Sequence, residues 1–212
     1  MPVPTPSPTP RTSKPFVLSE GDSISVFWNG NHTGIYAGAN PNVRFSGRAV
    51  GGSTILNGSN SLEARFASDA ALKPEYVTIL IGANDLGDGT FQSADDWLNA
   101  LWAYTAKWKA LGAKVAVGTV LPICIPSFAD YTRRHTERRL VANSAIRAAV
   151  SGKIDAVIDY AADPIMGPDA AACDRNLYPD GLHPSDGGGT GIGGQGKLAV
   201  IYAAALNNLL KQ

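Results

Sequence analysis

From Phe16 onward, short runs of β-branched and apolar residues alternate with longer segments whose apolar residues recur at spacings of three and four, which leaves few folds open. Period-two runs are half or fully buried strands and period-3.6 segments are amphipathic helices, so strict alternation of the two reads as βαβ units around a parallel sheet. Strands are expected at 16–20, 43–50, 76–81, 114–121 and 156–159, with helices at 61–72, 93–111, 130–150 and 195–210. The expected fold class is therefore α/β, a three-layer α/β/α sandwich on a five-stranded parallel sheet. At 212 residues and 44% apolar content, the chain can bury one substantial core and is short for two. Residues 1–15 alternate proline with small residues, favour an extended polyproline conformer and cannot build a core. They are expected to form a disordered linker to a catalytic domain spanning 16–212. Such tracts often tether extracellular catalytic domains, which favours a secreted or extracytoplasmic location, although the N-terminus lacks the apolar core of a signal peptide.

Eighteen basic residues balance eighteen acidic ones, so no net field draws the chain to nucleic acid or anionic lipid. No stretch approaches the length of a membrane span. Arg133, Arg134, Arg138 and Arg139 cluster on one expected helix, interrupted by Glu137, and read as a solvated face. Cys124 and Cys173 are too few for a disulfide framework and too far apart for a zinc knuckle. Both fall in loops at the carboxyl edge of the sheet, where a disulfide between them would suit an oxidising compartment.

In an open parallel sheet the reactive site lies beyond the carboxyl ends of the strands. The first strand runs into Gly21-Asp22-Ser23, which presents a hydroxyl there; alone, the tripeptide is an ordinary turn. The third strand ends in Gly82-Ala83-Asn84-Asp85, so the Asn84 amide arrives at the same edge and can donate to a developing oxyanion. After the second strand come Gly51 and Gly52, either of which lets a backbone N–H approach a reacting carbonyl, with Gly52 preferred. Asp180-Gly181-Leu182-His183 places a carboxylate and an imidazole three positions apart, so that one can orient the other. Of the remaining histidines, His32 reads as a loop residue and His135 as a surface residue of the arginine-rich helix.

Taken in order, these four blocks resemble those of the SGNH hydrolases, the GDSL esterase/lipase family, over nearly all of 16–210. The resemblance implies a flavodoxin-like SGNH fold, with Ser23 as nucleophile, His183 as general base and later acid, and Asp180 orienting the ring. It further implies an oxyanion hole built from the N–H groups of Ser23 and Gly52 and the Asn84 side chain, with Asp22 in a supporting role. Ile24 stands where the family often has leucine, a conservative change. The implied chemistry is acyl transfer through an acyl-enzyme, which requires no metal and no organic cofactor.

Trp28, five residues beyond Ser23, is a candidate substrate-lining residue, and the 122–128 loop a second wall. Residues 189–194 satisfy G-x-G-x-x-G but follow a loop instead of a strand, so they read as a glycine-rich flap and not a dinucleotide site. Trp97, Leu101, Trp102, Tyr104, Thr105, Trp108 and Leu111 read as a buried helix stripe. The expected substrate is a small-molecule or carbohydrate ester with a short acyl group, an O-acetyl sugar ester among the options. Lipase, lysophospholipase or thioesterase activity would use the same residues. A non-catalytic binding module on this scaffold would not require Ser23, Asn84, Asp180 and His183 together, and a flavodoxin-like nucleotide binder would want a phosphate loop after the first strand.

Overall fold

All five expected strands are present in the computed structural model, which describes residues 13–187 and 193–211. They are β1 (Phe16–Gly21), β2 (Arg44–Gly47), β3 (Tyr76–Leu80), β4 (Lys114–Gly118) and β5 (Ala156–Ile158), paired in parallel in the order β2-β1-β3-β4-β5. Among the described residues five α-helices surround them: α1 (His32–Ala39), α2 (Leu62–Ala70), α3 (Ala94–Ala110), α4 (Ala129–Ala148) and α5 (Gly194–Leu209). Residues 1–12, most of the proline-rich tract, and 188–192, the centre of the glycine-rich flap, lie outside the described residues.

The period-two alternation sorts the strands between two apolar layers. Leu18, Val77, Ile79, Val115 and Val117 pack with Leu62 of α2, with Trp97, Leu101, Tyr104 and Trp108 of α3, and with Ala142 and Ile146 of α4. Val17, Tyr76, Leu80, Ala116 and Ile158 pack on the other side with Tyr36 of α1 and Leu198, Tyr202 and Leu206 of α5. Two layers of helix on one sheet make the three-layer sandwich. Strand order reverses between β1 and β3, the position where sheets of this topology leave a crevice at their carboxyl edge.

Some sequence expectations change. Strand β2 stops at Gly47, although Arg48 N still donates to Ser19 O at 2.7 Å and Val50 N to Gly21 O at 3.2 Å; the Arg48 side chain bonds Asp69 (Nε to Oδ1 2.7 Å). Helix α1 was not anticipated. Its start is capped by Asn31, whose Oδ1 accepts from Thr33 N at 2.9 Å, but Gly34 and Gly38 depress its propensity. Gly34 is required by packing, since a Cβ there would sit 2.0 Å from Trp28 O. Along α3, Trp97, Leu101, Tyr104, Thr105 and Trp108 are buried as expected, whereas Trp102 is partly exposed and Leu111 lies past the helix end in solvent. Tyr104 and Trp108 also carry a polar duty, donating to the buried Glu20 carboxyl at 2.7 and 3.2 Å.

The arginine cluster is not a solvated face. Arg133 behaves that way, pairing with Glu137 at 3.1 Å. Arg134 and Arg138 instead donate to the carbonyls of Gly87 (3.0 Å), Leu86 (3.1 Å) and Asp88 (3.2 Å), serving a loop whose backbone has no ladder partner. Arg139 is buried and pairs with Asp169.

His135 is likewise not at the surface. It is fully buried, and neither ring nitrogen has a hydrogen-bond partner among the described residues. Burial, reinforced by the Arg139 charge, pushes its pKa down to about 3. The folded state thus refuses a proton that the unfolded chain accepts near pH 6.5, and stability is lost as pH falls from about 6.5 towards 3. His135→Leu is expected to remove about 2 kcal/mol of the acid destabilisation between pH 8 and pH 5. Urea unfolding at the two pH values checks it; an unchanged pH dependence would show that His135 is not the group.

Candidate active site

Strand β1 delivers Ser23 through a tight passage. Gly21 has φ +156°, and a Cβ there would lie 2.3 Å from Leu80 O on β3, so only glycine lets the two backbones approach this closely. Asp22 then caps the single 3-10 turn Ser23–Ser25, its Oδ1 accepting from Ile24 N at 3.0 Å. Burial raises the Asp22 pKa to about 6, against the lowering effect of the Ile24 and Ala83 amides. The carbonyl of Ile24 accepts from both Asn31 Nδ2 (2.8 Å) and Gln195 Nε2 (3.1 Å), which pins the turn from α1 and α5 together.

The Asp180/His183 loop closes on this turn. His183 Nε2 is 2.7 Å from Ser23 Oγ, and His183 Nδ1 is 2.6 Å from Asp180 Oδ2. Asp180 Oδ1 also accepts the backbone N–H of Leu182 (2.9 Å) and His183 (2.7 Å), so one carboxylate shapes the loop and orients the ring. Partial burial works to raise the Asp180 pKa, but bonds from the His183 ring and these amides prevail and hold it at about 2. Gly181 between them has φ +83°, and a Cβ there would meet Cys124 O at 1.9 Å. Cys124 N donates to Gly181 O at 2.7 Å, and Cys124 is disulfide-bonded to Cys173. The bridge therefore braces the loop that carries His183.

His32 is not a loop residue. It opens α1, is buried, and bonds through Nδ1 to Gln195 Oε1 at 2.8 Å. Burial, partly offset by Gln195, pushes its pKa down to about 4, so it stays neutral where His183 faces Ser23.

On the opposite flank, Asn84 Nδ2 donates to Ser53 O at 3.0 Å, which joins the end of β3 to the segment after β2. Asp85, fully buried, accepts from Ile55 N at 3.0 Å and reinforces that junction; burial lifts its pKa to about 7. Of the two glycines, Gly52 has φ +73°, whereas a Cβ at Gly51 would point towards Ser23, 3.9 Å from its Cβ. Gly52 is thus accounted for by its turn and Gly51 by nearness to Ser23, and the donor assignment stays between them. Trp28 is 42% exposed, its ring folded against Gly30; next to it, Phe27 stacks on Phe45 at 5.6 Å. A cavity of about 570 Å³ lies elsewhere, at the amino-terminal edge of the sheet beside Tyr76 and Lys114.

A family model described as "GDSL-like Lipase/Acylhydrolase family" matches residues 21–189. The chain belongs to this family. Members are ester-hydrolysing enzymes, and so is this chain. Solved structures share the GDSL fold. A GDSL-like lipase from Bacteroides thetaiotaomicron is 23% identical with a TM-score of 0.70, covering 95% of this chain and 90% of that one. The psychrotrophic esterase EstA from Pseudoalteromonas sp. is 17% identical with a TM-score of 0.64, covering 93% and 99%. An acetylxylan esterase from Geobacillus stearothermophilus is 21% identical with a TM-score of 0.60, covering 90% and 93%. Comparison with curated proteins returns no match. No helix among the described residues is long and apolar enough to cross a membrane.

The structure brings Ser23, Asp180 and His183 together and sets Asn84 beside the Gly51-Gly52 turn. It adds supports that sequence reasoning missed: Asn31, Gln195, Ser53, Asp85 and Arg65. Asn31 had a readable signal as a helix cap; Gln195, Ser53 and Asp85 act across 30 or more positions that no local pattern reports, and Arg65 through acceptors 5, 12 and 17 positions away.

Proposed function

We propose that this GDSL-family enzyme is a serine esterase that works through an acyl-enzyme and favours short acyl groups, an O-acetylated carbohydrate being the preferred substrate class. The observation that carries the reading is the continuous line from Asp180 Oδ2 through the His183 ring to Ser23 Oγ, at 2.6 and 2.7 Å. Such a line lets Nε2 take the hydroxyl proton as Oγ attacks the ester carbonyl, while Asp180 stabilises the imidazolium that forms. The oxyanion is received by the N–H of Ser23, by an N–H of the Gly51-Gly52 turn and by the Asn84 side chain. Nε2 then returns its proton to the departing alcohol, and a water activated by the same nitrogen releases the acid.

Support for a sugar acetate as substrate comes from the acetylxylan esterase among the fold relatives and from Trp28, 42% exposed, an aromatic ring of the kind on which sugars stack. Longer-chain lipase or thioesterase activity uses the same residues and differs in acyl length. We further assign residues 1–15 as a linker and 16–212 as the catalytic domain, and the Cys124–Cys173 bridge favours an oxidising, extracytoplasmic setting.

Hydrolysis of p-nitrophenyl acetate, butyrate and octanoate by the native chain and by Ser23→Ala tests the proposal. Turnover that falls with acyl length and disappears in Ser23→Ala is the expected result. A rate rising towards octanoate would move the assignment to lipase, and turnover surviving in Ser23→Ala would remove Ser23 as the nucleophile.

A further inference from the structure

The turn that carries Gly51 and Gly52 has little of its own to hold it. Its closing bond is Ser53 N to Val50 O at 3.1 Å, and both glycines are exposed. Two consecutive residues without side chains offer nothing to pack, yet a preorganised donor must stay aimed at one point throughout the reaction.

One side chain reaches around that turn. Arg65, on the second turn of α2, donates through Nη1 to Arg48 O, through Nε to Asn60 O at 3.0 Å and through Nη2 to Ser53 Oγ at 3.2 Å. Its three acceptors lie on either side of the two glycines. Ser53 Oγ in turn donates to Asn60 O at 2.6 Å, and Ser53 O is the acceptor of Asn84 Nδ2. The base of the turn is held from the other direction too, since Arg48 bonds Asp69 at 2.7 Å and Val50 N donates to Gly21 O at 3.2 Å. No carboxylate among the described residues lies within ion-pair distance of Arg65. Asp69, on the same helix, is engaged by Arg48, so the three Arg65 hydrogen bonds all go to neutral oxygens of the turn and its flanks, while its charge also acts on the buried Glu20.

We propose that Arg65 is a positioning residue for the oxyanion side of this site: its planar fork clamps the Arg48–Asn60 segment so that the Gly51/Gly52 N–H and the Asn84 amide converge on one point. The inference rests on the serine-esterase reading above. A lysine cannot reproduce it, because a single ammonium cannot serve three acceptors set in a fork. Loosened donors weaken the transition state more than the bound ester, whose carbonyl carries little charge, so the loss falls on kcat and not on KM.

The test compares Arg65→Lys, Arg65→Met, Asn84→Ala and the Arg65→Met/Asn84→Ala double variant on p-nitrophenyl acetate, each confirmed folded by circular dichroism. Arg65→Lys and Arg65→Met are expected to lower kcat about 10- to 100-fold with KM within about twofold, a fraction of the full loss of an oxyanion donor. The double variant is expected to lose less than the product of the single losses, because both changes act on one element. Ser53→Ala, which removes the Arg65 contact to Ser53 Oγ together with the bond from Ser53 Oγ to Asn60 O and leaves α2 intact, is expected to show the same kcat-selective loss at about 10-fold, and decides the matter if the Arg65 variants do not fold. An unchanged kcat in the folded variants, or fully multiplicative losses, would overturn the inference while Ser23→Ala remains inactive. Turnover surviving in Ser23→Ala would instead overturn the serine-esterase reading, and this inference with it.

Discussion

His183→Ala is expected to lower kcat/KM for a short-chain ester by about 10⁴- to 10⁶-fold, the scale seen when the base of a serine, histidine and aspartate system is removed. No second histidine can stand in. His32 and His135 are buried, with pKa values pushed down to about 4 and 3, first by burial in each case. Asp180→Asn is expected to cost less, about 10²- to 10⁴-fold. It removes the ionised partner of Nδ1, but Asp180 is half exposed, so water can replace part of the lost bond. Because its bonds to the His183 ring and the loop amides outweigh burial and hold Asp180 at about 2, it stays ionised through any ordinary assay range. Loss of activity on mild acidification is therefore not the titration of Asp180. Steady-state kinetics of the two variants checks the order; an Asp180→Asn loss exceeding that of His183→Ala would contradict the roles proposed here.

Removing the Cys124–Cys173 bridge is expected to act on stability and on turnover together. Closing a 49-residue separation restricts the unfolded chain by about 4 kcal/mol in the chain-entropy account. For a domain of this size that corresponds to a fall in Tm of about 8–16 °C. The same change frees the segment whose Cys124 N–H holds Gly181 O, between Asp180 and His183. The double replacement Cys124→Ser/Cys173→Ser should therefore lower kcat even at temperatures where the protein is fully folded. Calorimetry and kinetics at 25 °C, with and without reductant, separate the two effects. A lowered Tm with native kcat would show that the bridge stabilises the fold without bracing the Asp180/His183 loop.

The sheet was legible because its three central strands, β1, β3 and β4, are buried on both faces and read as continuous apolar runs, whereas the edge strands β2 and β5 are only partly buried. β3 was expected one residue longer than found, and β4 lost only its last three positions. The positions of Ser23, Asn84, Asp180 and His183 were legible for a related reason, since each follows a strand or a recognisable turn at one edge. Polar burial was harder to foresee. His135 and Arg139 sit on an unusually polar helix, and nothing local distinguishes them from Arg133; Arg139 is enclosed by Val120 O, Gly167 O and Asp169, which lie 19 to 30 positions away where no periodicity reports them. Arg65 escaped for the same reason, because its three acceptors become neighbours only once the turn after β2 has folded back on α2.

Ser23 and His183 stand 160 positions apart, and the Ile24 carbonyl beside Ser23 is held by Gln195 from 171 positions away. During synthesis the amino-terminal half emerges first and can begin to collapse, but its serine has no imidazole to meet until the segment beyond position 180 has left the ribosome and α5 has docked on α1. On the serine-esterase reading proposed above, a nascent chain is therefore chemically silent towards esters, and the first hydrolytic turnover of each molecule marks the moment at which the turn after β1 and the 180–183 loop have found one another.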